Sequence, residues 1–168
     1  MDEAALKLVQ QMLTQQGPAL ELYARQWCHA PEDVVQEALL RLAEQRPIPD
    51  RPVAWLYRAV RRGALSAARG DARRQRHETA AALPAEWFEC DVGLGLDAEV
   101  ATAALEELPL AEREVVVTRL WGELSFQEIG DLVGCSSSAA QRRYVAALAA
   151  LRERFGVRCS ATKDCPKS

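Results

Sequence analysis

Leu124-Ser125-Phe126-Gln127-Glu128-Ile129-Gly130-Asp131-Leu132-Val133-Gly134-Cys135-Ser136-Ser137-Ser138-Ala139-Ala140-Gln141-Arg142-Arg143 is the stretch that decides the fold. Ser125 and Glu128 make the S-x-x-E pattern of a capping box, a specific signal for the start of a helix. Phe126, Ile129, Leu132 and Val133 follow at helical spacing, and Gly134 stands where a left-handed C-cap would end the helix. Ser136, Ser137 and Ser138 then offer N-caps for a second helix. That helix reads to about Phe155, with Ala140, Tyr144, Leu148, Leu151 and Phe155 as its buried stripe. Residues 125–155 thus have the proportions of a helix-turn-helix. Gly130 is small at the level where the two helices must approach closely.

Outward from this stretch the chain reads as helical almost throughout. Residues 4–15 place Leu6, Val9 and Leu13 at helical spacing, and Gly17-Pro18 is expected to interrupt them before a second helix reaching about Cys28. Pro31 opens a third helix with Val35, Leu39 and Leu42 on one face. The prolines of residues 47–52 exclude its continuation. A fourth helix, from about 52 to 69, turns Leu56, Val60, Gly63 and Ala67 inward and Arg58, Arg61, Arg62 and Arg69 outward. Residues 101–107 make a short helix closed by Leu108-Pro109, and 110–121 another, with Leu110, Val116 and Leu120 aligned. No sustained period-2 run of β-branched residues occurs, which argues against a sheet. The expected class is all-α: two small helical domains joined by an acidic linker, the second a helix-turn-helix.

The 168 residues carry 24 acidic and 21 basic side chains, a net charge of −3. The total hides a strong segregation. Residues 58–77 hold seven arginines against Asp71, and residues 135–168 are net +5. Between them, residues 78–109 hold eight acids and no base. Screening confines surface charge to about 8–10 Å at physiological salt, so each basic block presents its own field. Arginine also makes forked contacts to phosphate that lysine cannot.

Several classes are disfavoured. The longest apolar runs are short, such as Val115-Val116-Val117, so no stretch reads as a membrane span. The start Met1-Asp2-Glu3 lacks the pattern of a secretory signal. Five cysteines (28, 90, 135, 159, 165) form no CxxC pair, and His29 and His77 are the only histidines. No metal site or cofactor is expected, and ordinary thiols in a reduced cytosolic setting are the default. No Ser-His-Asp arrangement or phosphate-cradling Gly loop stands out, so the chain does not read as an enzyme. The basic second helix of the helix-turn-helix points to DNA: Arg pairs bidentately with guanine and Gln with adenine in a major groove. A stand-alone helix-turn-helix regulator would satisfy that stretch but leaves residues 30–77 without a purpose.

Leu108-Pro109, Glu112-Arg113-Glu114-Val115, Leu124 to Gly130 and Leu151-Arg152 together resemble region 4 of the extracytoplasmic-function (ECF) sigma factors of bacterial RNA polymerase. Pro31 to Leu42 resembles the acidic ED-x-x-QE helix of the family's region 2, and Trp55-Leu56-Tyr57-Arg58-Ala59-Val60-Arg61-Arg62 its WLyR helix. The likeness covers roughly residues 15–155, in the family's order and separation. It implies a region 2-like domain over 1–77, an acidic linker over 78–100, a region 4-like helix-turn-helix domain over 101–156 and a mobile tail over 157–168.

The resemblance also implies roles. Asp33, Gln36 and Glu37, with Leu40 and Arg41 nearby, match the face that docks on the clamp helices of the polymerase's largest subunit. Loop 46–52 and Arg58, Arg61, Arg62, Ser66 and Arg69 match the part that binds the −10 element and holds a flipped base. Trp55 could stack at the duplex fork, although a helical Trp between Ala54 and Leu56 reads more readily as core. Two positions depart from the family, which commonly has Asn at Arg62 and Asp at Ser66, so the polar network of the −10 pocket is expected to differ. Ser137, Ser138, Ala139, Gln141, Arg142, Arg143, Val145 and Ala146 match the part that reads the −35 element. Relatives often carry Thr, Lys or Arg, and a further Arg at Ala139, Gln141 and Ala146, so this helix is expected to make fewer polar bonds. The implied partners are core RNA polymerase, promoter DNA and an anti-sigma factor. The linker is expected to run through the polymerase toward its active-site and RNA-exit region. The free chain is expected to be a monomer, cytoplasmic and nucleoid-associated in the holoenzyme.

Overall fold

Proline does not stop the first helix. In the computed structural model, which describes residues 3–77 and 103–155, α1 runs unbroken over Glu3–Ala24 with Pro18 inside it. A residue before proline is normally pushed out of helical geometry by a clash with its Cβ. Here that residue is Gly17, which has none. The expected break at Gly17-Pro18 is therefore corrected to one continuous helix. Its buried face is Ala5, Met12, Ala19, Leu20, Tyr23 and Ala24. Leu6 and Leu13, which share a helical spacing with Val9, are about half exposed on the other side.

Helix α2 (Pro31–Glu44) starts with Pro31 at its first turn, carries Glu32 and Asp33 there and Arg41 in its last turn, matching the helix dipole at both ends. Val35, Leu39 and Leu42 are buried, as their spacing predicts, and Ala38 is buried with them. Helix α3 (Pro52–His77) is longer than the sequence suggests and passes Gly70 without ending. Leu56, Tyr57, Val60 and Ala64 are buried along it. A Cβ at Gly63 would come within 2.9 Å of Val34 Cγ1, so glycine there lets α2 and α3 approach. Trp55 is partly buried and packs against the core. The three helices pack on one another as the first half of the molecule.

The second half begins with a short helical segment, α4 (103–107), followed by α5 (Leu110–Leu120), α6 (Phe126–Val133) and α7 (Ser137–Arg154). Arg113 bonds the backbone oxygens of Glu106 and Leu108, satisfying carbonyls that the end of α4 would leave orphaned. In α5, Glu114, Val115, Val116, Val117 and Thr118 are all buried. Five consecutive residues exceed one turn, so the middle of this helix is enclosed on every side. The expected stripe of Leu110, Val116 and Leu120 is thus wrong at its ends: Leu110 and Leu120 are exposed. Val116 packs with Leu105, Leu108 and Ala147, while Val115 and Val117 join a larger cluster. That cluster includes Leu20, Tyr23, Leu56 and Tyr57 from the first half and Leu124 and Ile129 from the second. The two halves therefore share apolar surface.

The helix-turn-helix forms as its local signals require. Ser125 Oγ accepts from Glu128 N–H at 3.3 Å, and Ser125 N–H donates to Glu128 Oε2 at 2.9 Å, completing the capping box. Gly134 ends α6 in the left-handed region, with φ 75°. Ser136 caps α7 by accepting from Ala139 N–H at 3.1 Å. Arg119 lies over the Phe126 ring at 5.0 Å and donates to Leu124 O at 2.7 Å, pinning the entry to α6. The buried face of α7 is Ala140 and Ala147 with Tyr144, Leu148 and Leu151 partly covered; Phe155, read as its last core residue, is 45% exposed. Helix α7 ends at Arg154, so Phe155 is its cap and no longer continues the stripe. The linker 78–100, with Trp87 and Phe88, the tail 157–168 and Cys90, Cys159 and Cys165 lie outside the described residues.

Two stability outcomes follow. A Cβ at Gly130 would sit 2.6 Å from Cys135 O, so Gly130→Ala must push the turn off α6. The expected cost is about 1–3 kcal/mol, seen as a melting point lower by several degrees in circular dichroism. Glu128 is held below its ordinary carboxylate pKa: partial burial works against ionisation, but the Ser125 hydrogen bonds and the charges of Arg51 and Arg58 outweigh it. A carboxylate with a depressed folded pKa stabilises the fold above its unfolded pKa and loses that contribution as pH falls through the folded value. The stability gap between the wild type and Glu128→Gln should therefore be full at neutral pH and shrink on acidification below about 4.5 in urea titrations.

Candidate nucleic-acid and polymerase interface

Asp33, Gln36, Glu37, Leu40 and Arg41 stand at i, i+3, i+4, i+7 and i+8 along α2, which gathers them on one face. All five are exposed, Leu40 at 53%. Arg41 Nε donates to Glu37 Oε1 at 2.8 Å within the stripe, an exposed pair that orders the side chains more than it stabilises the helix. An exposed leucine framed by acids, an amide and one arginine is suited to a partner with a basic surface and an apolar notch.

On α3, Arg58, Arg62, Ser66 and Arg69 form a second exposed stripe at i, i+4, i+8 and i+11. Arg62 and Arg69 turn their Nε groups back to the Arg58 and Leu65 carbonyls, leaving their remaining guanidinium donors along the helix surface. Arg61 departs from the expected outward position. It lies beside the stripe and is only 29% exposed, because its Nε donates to Glu114 Oε1 at 2.6 Å. Burial alone would lower the Arg61 pKa; the hydrogen bond and charge of Glu114 outweigh it and hold the guanidinium ionised.

Glu114 is 5% exposed and also accepts from Tyr23 OH at 2.8 Å. Burial and then the Glu114 charge push the Tyr23 hydroxyl well above its usual range, so it stays a donor. Tyr23 packs edge-on to Trp27 at 5.0 Å and to Tyr57 at 5.1 Å, and Arg61 lies over Trp27 at 5.9 Å. A Cβ at Gly122 would come within 2.7 Å of Tyr57 Cε2, so the turn after α5 rests directly on α3. Arg51, in the loop before α3, meets Glu128 Oε1 at 2.9 Å. Sequence reasoning missed Tyr23, Arg51, Glu114 and Glu128 as joining groups. One signal was present: Glu114 directly precedes three valines, and a helix buried all round must bury that glutamate as well.

On α7, Ser138, Gln141 and Arg142 are exposed near the start, with Ser137 and Arg143 partly covered. The exposed face continues as Val145, Ala146 and Ala149. Past the polar groups of the first two turns the face is low, and the exposed Arg152 takes up the polar side again three residues after Ala149. Such a face can lie deep in a major groove, with Val145, 59% exposed, suited to a thymine methyl. Among the described residues no three His, Cys, Asp or Glu side chains gather as a metal-holding group, and no helix is long and apolar enough to cross a membrane.

Comparison with known proteins gives the same division of the chain. The family model described as Sigma-70 region 2 matches residues 12–74, and that described as Sigma-70, region 4 matches residues 98–151. No curated protein matches significantly. The sigma factor RpoE of Bartonella quintana, solved with the anti-sigma factor NepR, is similar in fold with a TM-score of 0.62 and 22% identity, over 88% of this chain and 96% of that one. CnrH, solved with the cytosolic domain of CnrY, is similar with a TM-score of 0.57 and 22% identity, over 90% of this chain and 89% of that one. With helices α1 to α3 carrying region 2 and α4 to α7 carrying region 4, the chain belongs to the sigma-70 family, in the two-region form of the ECF sigma factors.

Proposed function

We propose that this protein is the dissociable specificity subunit that brings core RNA polymerase to promoters, with no chemistry of its own. The observation that carries the reading is the presence of both matched regions, in order, on one chain. A stand-alone regulator needs only the second. The working divisions are region 2 over 1–77, an acidic linker over 78–100, region 4 over 101–156 and a tail over 157–168.

In this reading the exposed α2 stripe of Asp33, Gln36, Glu37, Leu40 and Arg41 docks on polymerase. The α3 stripe of Arg58, Arg62, Ser66 and Arg69, joined by Arg61, binds the −10 element. Guanidinium groups along one helix suit a single-stranded backbone, and an unstacked base costs a few kcal/mol to hold out of the duplex. Ser137, Ser138, Gln141, Arg142 and Arg143 read the −35 element at the start of α7, where the helix N-terminus also favours phosphate. Because RpoE and CnrH were both solved with a regulatory partner, an anti-sigma protein is a fitting partner here too. The place of work is the cytoplasm, on the nucleoid when bound to polymerase.

Gel filtration with bacterial core polymerase, followed by run-off transcription, tests the reading: co-elution and promoter-specific transcripts are expected, and a chain eluting alone would end it. Gln36→Ala with Glu37→Ala should abolish co-elution while the circular dichroism spectrum stays unchanged. On a promoter identified from those transcripts, Arg142→Ala should cost about 1–3 kcal/mol and relax preference at one −35 position. An equal loss on every −35 sequence would make Arg142 a phosphate contact.

A further inference from the structure

Val145 is the most exposed large apolar side chain among the described residues. A single exposed apolar residue needs no explanation in itself. Its place in α7 does. The nearby exposed positions 146, 149 and 150 all hold alanine. A valine in a helix loses side-chain freedom against the preceding turn, a cost alanine does not have, and here it buries nothing in return. A residue that goes against the preference of its own helix without a gain in packing points to a contact outside the chain.

The direction of that contact is fixed by the other side of the helix. Ala140 and Ala147 are fully buried, and Tyr144 packs on Phe126 of α6 with ring centroids 5.6 Å apart. The helical repeat then turns Val145 away from α6, on the line of the exposed Ser138 and Ala149. Gln141 stands one turn before it and Arg142 three residues before it, both exposed. Ala146 and Ala149 are too short to reach past it, so Val145 is the one group that projects from the third turn. In a helix-turn-helix this face enters a major groove. Gln141 and Arg142 bring hydrogen-bonding groups there, whereas Val145 brings only methyls and gains only from an apolar group. Among the base edges in that groove, the apolar group is the methyl on C5 of thymine. A cytosine methylated at C5 carries the same group in the same place. We propose that Val145 is a specificity-determining residue that reads a C5-methylpyrimidine, about one or two base pairs from the base pair faced by Gln141 or Arg142. The inference rests on the reading of α7 as the −35 helix and names the chemistry of its target. The contact is uncharged, so it adds affinity without releasing counterions.

The test uses the full-length chain, both alone and assembled with core polymerase. Each form selects duplexes from a pool with a short randomised window at low salt. Fluorescence anisotropy then compares thymine, uracil, cytosine and 5-methylcytosine at each enriched pyrimidine in turn. At one position the wild type should bind about fourfold more weakly with uracil than with thymine, and regain a like factor from cytosine to 5-methylcytosine. Tightest binding with thymine makes thymine the natural source of the methyl, and tightest binding with 5-methylcytosine makes it methylated DNA. Val145→Ala should lose both differences and bind the uracil duplex nearly as the wild type does. Its salt slope should stay that of the wild type, whereas loss of a phosphate contact would lower the slope by about 1. Its melting point should be no lower than that of the wild type, since alanine suits an exposed helix site better. A wild type indifferent to the methyl at every enriched pyrimidine would overturn the inference. So would methyl differences that survive in Val145→Ala, or an equal loss on all four duplexes. Absence of any enriched sequence with either form would overturn it together with the −35 reading of α7. Failure to co-elute with polymerase would count against the sigma reading alone, because selection by the free chain does not depend on it.

Discussion

A carboxylate taken out of water must be solvated by something else, and Glu114 is solvated by both halves of the molecule at once. Tyr23 from α1 and Arg61 from α3 converge on one of its oxygens. An isolated buried ion costs several kcal/mol even after relaxation, so the apolar contacts around Glu114 could not close without those two donors. Val115 and Val117 reach the shared cluster only because their neighbour is neutralised there. Trp27 and Tyr57 complete the seat, one beneath Arg61 and the other against the turn at Gly122. The aromatic walls keep water from the pair, which strengthens it and makes its loss more consequential.

Helix α5 is the element on which this arrangement turns. Its outer neighbours are of two kinds. One side meets α4 and α7, closing the small core of Leu105, Leu108, Val116 and Ala147. Another meets region 2. A helix placed so can hold the helix-turn-helix rigid while offering a single charged residue to the opposite half. The α6 cap makes a second use of a local group: Glu128 Oε2 accepts from the Ser125 backbone, and Arg51 straddles both oxygens of the same carboxylate, at 2.9 Å and 3.1 Å. A residue required for helix initiation thus also joins the halves.

What was legible in the sequence was local. The capping box at Ser125 and Glu128, the left-handed Gly134 and the Ser136 cap each depend on residues three or four apart, and each forms as read. The α2 face was legible because only one side of that helix is covered. The spacing of Leu6, Val9 and Leu13 marked a helix but not its buried side, because leucines on an exposed face look the same in a pattern as leucines in a core; the buried side holds Ala5, Met12, Ala19 and Leu20. Gly17-Pro18 misled because the usual penalty before proline was cancelled by the glycine itself. Leu110 and Leu120 misled because a single stripe was sought on a helix with more than one buried side. Arg61 was placed outward because its partner lies 53 residues away, a separation that no periodicity reports.

Seen through these contacts, segregated charge has a second meaning. The acids of residues 110–134 are not surplus to a basic DNA-binding half, since two of them face the arginines of region 2. Helix α7 presents a sparse polar face, with Arg142 and Gln141 followed by Val145, Ala146 and Ala149. A face with few charges can neutralise few phosphates, which makes for weak binding with a shallow salt dependence. In the reading proposed above, a sparse α7 face and an Arg61 covered by Glu114 leave the chain a weak binder of DNA by itself. Its specificity is then expressed on polymerase, where both proposed DNA surfaces act on one duplex. Two weak sites tethered together bind far more tightly than either alone, provided the geometry lets both engage.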